Sequence, residues 1–148
     1  MRTTVAASVS LAIARFLRLP EAEWAAISTM VVTQSTLGAA LSISGERFAG
    51  TALGALAGGL LAAYLPSGTV AFVVGLFVLG LVCPLLRLDR AAYRFAGITL
   101  AIVVLIARSQ PAGVVAAHRF FEVSLGIATG LAFTAIWPER SRADAGSP

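Results

Sequence analysis

The chain has 148 residues, of which 58% are hydrophobic and 12% charged, and its mean hydropathy is +0.89. So apolar a composition excludes an ordinary soluble domain and leaves one integral membrane domain, with room for at most about six or seven helical spans of about 20 residues. The net charge of +4 rests on arginine, since the 11 basic residues include no lysine. These arginines stand at the ends of apolar runs rather than on one soluble face, which argues against nucleic acid and for headgroup contact.

In chain order, Met1-Arg2 with Ala12-Ile13-Ala14 superficially resembles a signal peptide with its cleavage site. The segment reads better as a first span over 3–19, with Arg15 and Arg18 lifted to the interface. Further apolar runs predict spans near 24–43, 47–65, 69–86, 91–107 and 115–137. The breaks fall at Leu19-Pro20-Glu21, Ser44-Gly45-Glu46, Pro66-Ser67-Gly68, Arg87 to Arg90 and Ser109-Gln110-Pro111, where turn formers or charges would be penalised by lipid. Trp137-Pro138 closes the last helix with an interfacial aromatic and a residue that cannot continue it. Residues 1–138 therefore form one six-helix transmembrane module, and 139–148 a short polar tail expected to be disordered in the cytoplasm. Cys83 stands alone in an apolar run, which leaves no intrachain disulfide and no cysteine metal site.

A cytoplasmic amino terminus puts seven arginines inside (Arg2, Arg47, Arg87, Arg90, Arg94, Arg140 and Arg142) and four outside (Arg15, Arg18, Arg108 and Arg119). That bias predicts both termini in the cytoplasm of a multi-pass inner-membrane protein. The chain also repeats itself. Arg47-Phe48, Leu53-Gly54 and Gly58 recur 72 residues later as Arg119-Phe120, Leu125-Gly126 and Gly130. Trp24-Ala25-Ala26-Ile27-Ser28 recurs 71 residues later as Phe95-Ala96-Gly97-Ile98-Thr99. Two halves of three helices each would face opposite ways, the inverted-repeat plan of many transporters; chance similarity in Ala/Gly/Leu-rich helices is the alternative.

Gly50, Gly54 and Gly58 repeat at spacing four in the third helix, and Gly126 with Gly130 in the sixth, which predicts close helix packing inside one subunit or at a subunit interface. Thr29, Thr33, Gln34, Ser35 and Thr36 form a polar cluster before Gly38. Either they line a solute path or they satisfy one another and their own helix carbonyls. Arg47 and Arg119 need a partner or a route to water. Glu46 beside Arg47, and Glu122 one turn from Arg119, offer ion pairs; alternatively the guanidiniums attract an anionic solute, their planar donor pairs suiting a carboxylate. His118, the one histidine, is a residue type that exchanges protons near neutrality, so His118 and Glu122 are proton-coupling candidates, an idle exposed imidazole being the alternative. There is no HExxH, GxSxG or Walker pattern, so catalysis, metals and cofactors are not expected.

Trp24 to Gly38 (WAAISTMVVTQSTLG) and Arg47 to Ala55 (RFAGTALGA) resemble the fusaric acid resistance family, also called aromatic acid exporters, over roughly residues 20–137. The matching positions are Trp24, Gln34, Gly38, Arg47, Gly50, Thr51 and Gly54, while Ser35 stands where many relatives have proline. Plant aluminium-activated malate channels are more distantly similar. The resemblance implies export of small organic anions, notably aromatic carboxylates, coupled to protons. Larger members carry a cytoplasmic domain and often a second membrane half, so a module of this length implies a homodimer. The expected solute path is lined by Thr33, Gln34, Arg47 and Arg119. The rival expectation is a noncatalytic accessory subunit whose glycine faces dock another helix bundle.

Overall fold

The computed structural model describes residues 1–33, 36–65, 68–106 and 110–137. Gln34, Ser35, Arg108, Arg140, Arg142 and the expected 139–148 tail lie outside the described residues. All regular structure among the described residues is helical: α1 (Arg2–Phe16), α2 (Glu23–Thr33), α3 (Leu37–Tyr64), α4 (Gly68–Leu85), α5 (Arg90–Ala101, continued by a π-helical segment Ile102–Ile106) and α6 (Ala112–Ile136).

Among the described residues two helices, α4 and α6, are long and apolar enough throughout a window to cross a bilayer. At 1.5 Å per residue α3 runs about 42 Å and α6 about 37 Å, past the roughly 30 Å hydrocarbon core, whereas α1 and α2 run only about 22 and 16 Å.

The second break differs from expectation. Ser44, Gly45 and Glu46 lie inside α3, and the chain turns instead between Thr33 and Leu37. A glycine and short polar residues weaken a helix without ending it when one face is held. Ser44 and Arg47 are buried on that face, while Gly45 points outward.

Contacts between helices run through small residues. α3 lies on α5, where a Cβ on Gly50 would strike the Ala92 carbonyl, one on Gly54 the Ala96 carbonyl, and one on Gly58 would sit 3.0 Å from Val103 Cβ. α6 lies on α2 in the same manner. A Cβ on Gly126 would strike the Ala25 carbonyl, and one on Gly130 would sit 3.0 Å from Val32 Cβ. α3 and α6 then meet each other, with the Phe48 and Phe120 rings 5.0 Å apart.

α1 and α4 end alike. Arg18 and Arg87 both take φ of 55°, each between two leucines. Leu19 N–H donates to the Ala14 carbonyl and Leu88 N–H to the Cys83 carbonyl, in each case closing a Schellman-type turn.

The open ends of α2 and α6 are tied by the start of α1. Arg2, only 4% exposed, donates from Nη1 to the Trp137 carbonyl at 2.9 Å and from Nη2 to the Thr33 carbonyl. A cation at two helix C-termini satisfies carbonyls that the helices themselves leave open and opposes their negative dipole ends.

Candidate functional site

Each of the two long helices, α3 and α6, carries one buried arginine in its first half, and each arginine faces an aromatic ring on the helix its glycines pack against. Arg47 of α3 lies over Phe95 of α5, 4.8 Å from its centroid. Arg119 of α6 lies over Trp24 of α2 at 4.2 Å. Their exposures are 6% and 4%, so both guanidiniums depend on protein partners.

Those partners differ. Arg47 donates from Nε and Nη2 to the Ser28 hydroxyl at 3.2 and 3.0 Å, a neutral acceptor. Arg119 pairs with two carboxylates, Glu21 through Nη2 and Glu122 through Nη1 at 3.6 Å. Glu122 Oε1 also accepts the Glu21 backbone N–H at 3.0 Å. Its Oε2 and Arg119 Nη1 have no hydrogen bond, since 3.6 Å holds an ion pair but is too long for one.

Among the described residues, cavities border this region on two sides. One of about 20 Å³ is bounded by Trp24, Arg47, Thr51, Phe95 and Arg119 among others, so both arginines border it. The other, about 120 Å³, is a polar cleft lined by Pro20, Glu21, Gln110, His118, Arg119 and Glu122. The first holds about one water and the second about four, well below the roughly 300 Å³ of ordinary ligand pockets. The arginines are thus occluded in this conformation. Larger spaces of about 560 and 660 Å³ are lined almost wholly by apolar groups along α3–α6 and α4–α5.

The remaining expected residues are placed as follows. Thr33 is buried with its hydroxyl donating to the Thr29 carbonyl at 2.9 Å, and Thr29 donates to the Ala25 and Gly126 carbonyls at 2.9 and 3.0 Å. These threonines are satisfied within the α2–α6 contact. His118 borders the same polar cleft as Glu122. Glu46 does not pair with Arg47; it takes the Ser42 hydroxyl at 3.4 Å on the outer side. Adjacent residues on a helix point about 100° apart, so a buried Arg47 carries its neighbour away. Gly50, Gly54, Gly58, Gly126 and Gly130 sit at the helix contacts already described. Among the described residues no three His, Cys, Asp or Glu side chains gather to hold a metal.

Sequence reasoning passed over Glu21, Ser28 and Phe95. Glu21 follows a proline and reads as a turn residue. Phe95 carried a usable signal, because it is the repeat equivalent of Trp24 and the two lie under opposite arginines.

The fusaric acid resistance protein-like family matches residues 7–133. The chain belongs to that family. It is also 34% identical over 154 residues to the "Uncharacterized transporter YdhK" of Escherichia coli strain K12, and equally to its counterpart in strain O157:H7. The match covers 98% of this chain but 23% of either relative, so the chain spans under a quarter of the length of those curated proteins. No solved structure matches. The matched span includes α2 and α3, the elements that carry Trp24 and Arg47.

Proposed function

We propose that the chain is the membrane module of a transporter for small organic anions, with aromatic carboxylates as the substrate class. The observation that carries this reading is the pair of buried arginines, each backed by an aromatic ring and both bordering one small cavity. A carboxylate matches the paired donors of a guanidinium, and an aromatic solute finds Trp24 and Phe95 beside them. α2 and α5 begin at Glu23 and Arg90, and Trp24 and Phe95, in the early turns of these helices, both border the small cavity, so the positive ends of two helices lie toward it.

The six helices form two inverted halves, α1–α3 and α4–α6, in this proposal. Support comes from contacts that recur at the sequence offset of 71 to 72: Gly54 on Ala96 with Gly126 on Ala25, Gly58 on Val103 with Gly130 on Val32, and Arg47 on Phe95 with Arg119 on Trp24. All six helices belong to the bilayer in this arrangement, with α1 and α2 as a short pair. Arg2 bound to Trp137 brings both ends of the described chain to one face, which we assign to the cytoplasmic side of the inner membrane. Proton coupling runs through Glu122 and His118, which share the polar cleft. Opening the occluded arginines to solute requires a second conformation, and in this proposal two copies of the module work as a homodimer.

Flux of benzoate in proteoliposomes tests the proposal. Arg47→Ala and Arg119→Ala are expected to lower flux at least tenfold, the loss of a charge-assisted contact of about 1.4 kcal/mol or more. Unchanged flux in both variants refutes the roles given to the arginines. The tightness of the cavities favours one rival, an accessory subunit without flux of its own; a stable heteromeric partner on copurification, with no benzoate flux, would establish it.

A further inference from the structure

The two arginine stations occupy matching places, yet they are electrostatically unequal. On α3 the residue three positions after Arg47 is Gly50; on α6 the residue three positions after Arg119 is Glu122. Gly50 lets the backbone of α5 come against α3. Glu122 fills the corresponding space with a carboxylate that is 1% exposed and reaches the backbone of Glu21. Glu21 adds a second carboxylate from the turn before α2, itself half-exposed, with a side-chain exposure of 48%. Arg47 has a serine hydroxyl and an aromatic ring in their place.

A guanidinium that already holds carboxylates has little left to offer a carboxylate solute. Replacing a buried arginine–carboxylate pair by a packed apolar alternative of similar volume is often neutral or stabilising, so stability alone is a weak reason for the cluster. The contact has slack. Arg119 Nη1 and Glu122 Oε2 face each other at 3.6 Å, both buried and both without a hydrogen bond, beside a cleft of about 120 Å³. Donor and acceptor are present at a spacing where a movement of Glu122 toward the cleft would free the donor.

We propose that Glu122, assisted by Glu21, is a tethered competitor for the transported carboxylate: it occupies Arg119 in the closed state and must be displaced for the solute to bind there. Arg47, with no carboxylate partner among the described residues, is the station that accepts the anion without such competition. Among the described residues, the charged and titratable groups around Glu122 are Arg119 and His118 on its own helix, Glu21 in the turn before α2 and Glu23 at the start of α2. This inference rests on the transport reading and assigns unequal work to two arginines that the repeat makes look equivalent.

Trp24 lies on Arg119, so its emission reports binding at that station. The second tryptophan, Trp137, is removed by Trp137→Phe to give a single-tryptophan background. Purified chain in detergent is titrated with benzoate. Glu122→Gln keeps the shape and the amide oxygen that can accept the Glu21 N–H, but removes the charge; it is expected to bind benzoate about tenfold more tightly. Glu21→Gln, at an exposed turn, is expected to tighten binding severalfold and serves as the second probe where Glu122→Gln folds poorly. Wild-type affinity in both variants, or weaker binding, with benzoate still bound by the parent chain, overturns the competitor role while leaving the transport reading standing. Absence of benzoate binding in the parent and in both variants overturns both.

Discussion

Gly54 and Gly45 lie nine positions apart on α3 and are expected to respond oppositely to the same added methyl group. At Gly54 an alanine Cβ would strike the Ala96 carbonyl and stand 2.9 Å from Thr99 Cβ, against about 3.5–4.0 Å for relaxed carbon contact. α3 and α5 must then separate by more than half an ångström along a tightly packed seam. Overpacking of this kind costs about 1–3 kcal/mol, offset in part by the roughly 1 kcal/mol that alanine gains over glycine inside a helix. At Gly45 nothing lies within 4 Å, so only the helix-forming gain of about 1 kcal/mol remains. Thermal unfolding in detergent, followed by circular dichroism, should therefore show a fall in Tm of up to about 8 °C for Gly54→Ala and a rise of about 2–4 °C for Gly45→Ala, at roughly 2–4 °C per kcal/mol for a chain of this size. Gly126→Ala, against the Ala25 carbonyl, should match Gly54→Ala in sign, and the double variant should be additive because the two seams are separate. Equal shifts at Gly45 and Gly54 would refute the claim that α3 reads its glycines by what stands opposite them.

Arg2→Met keeps much of the apolar stem but leaves the Thr33 and Trp137 carbonyls without their charged donor, and should destabilise the chain by about 2–3 kcal/mol in the same unfolding assay. Faster amide hydrogen exchange at the ends of α2 and α6 should accompany it; exchange rising elsewhere instead would count against the latch. Trp24→Phe should cost under about 1 kcal/mol because Phe95 already supports Arg47 in the matching place, whereas Trp24→Leu removes the ring under a buried guanidinium and should cost about 1–2 kcal/mol more. Identical stability of the Phe and Leu variants would show that the ring face contributes nothing to holding Arg119.

Much of this arrangement is legible before any contact is known. The apolar mass, the turn formers at Pro20, Pro66 and Pro111, and the absence of strand patterning give the helical class and most helix boundaries to within a few residues. Periodicity within one helix cannot, however, tell a tolerated glycine from a stop. For that reason Ser44-Gly45-Glu46 reads as a break while the structure carries α3 through it. The repeat at 71 to 72 residues marks Arg47, Arg119, Trp24 and Phe95 as equivalents two by two, but a repeat gives no pairing rule. Tertiary packing crosses the pairs, setting Arg47 on Phe95 and Arg119 on Trp24, in each case the ring farther away in sequence.

The charge balance at the site is likewise a tertiary property. The Arg119–Glu122 pair follows from helical spacing and is visible in the sequence. Glu21, 98 residues from Arg119, joins it only because α6 lies along α2, and Glu46 leaves Arg47 because neighbours on a helix diverge. Arg2 at the two helix ends is equally non-local, 135 residues from Trp137. Sequence alone determined that these are helices with small-residue faces and arginines at matching positions, since propensity and periodicity are local. Which carboxylate neutralises which arginine was decided by helix contacts between distant segments, and local patterns carry no record of those.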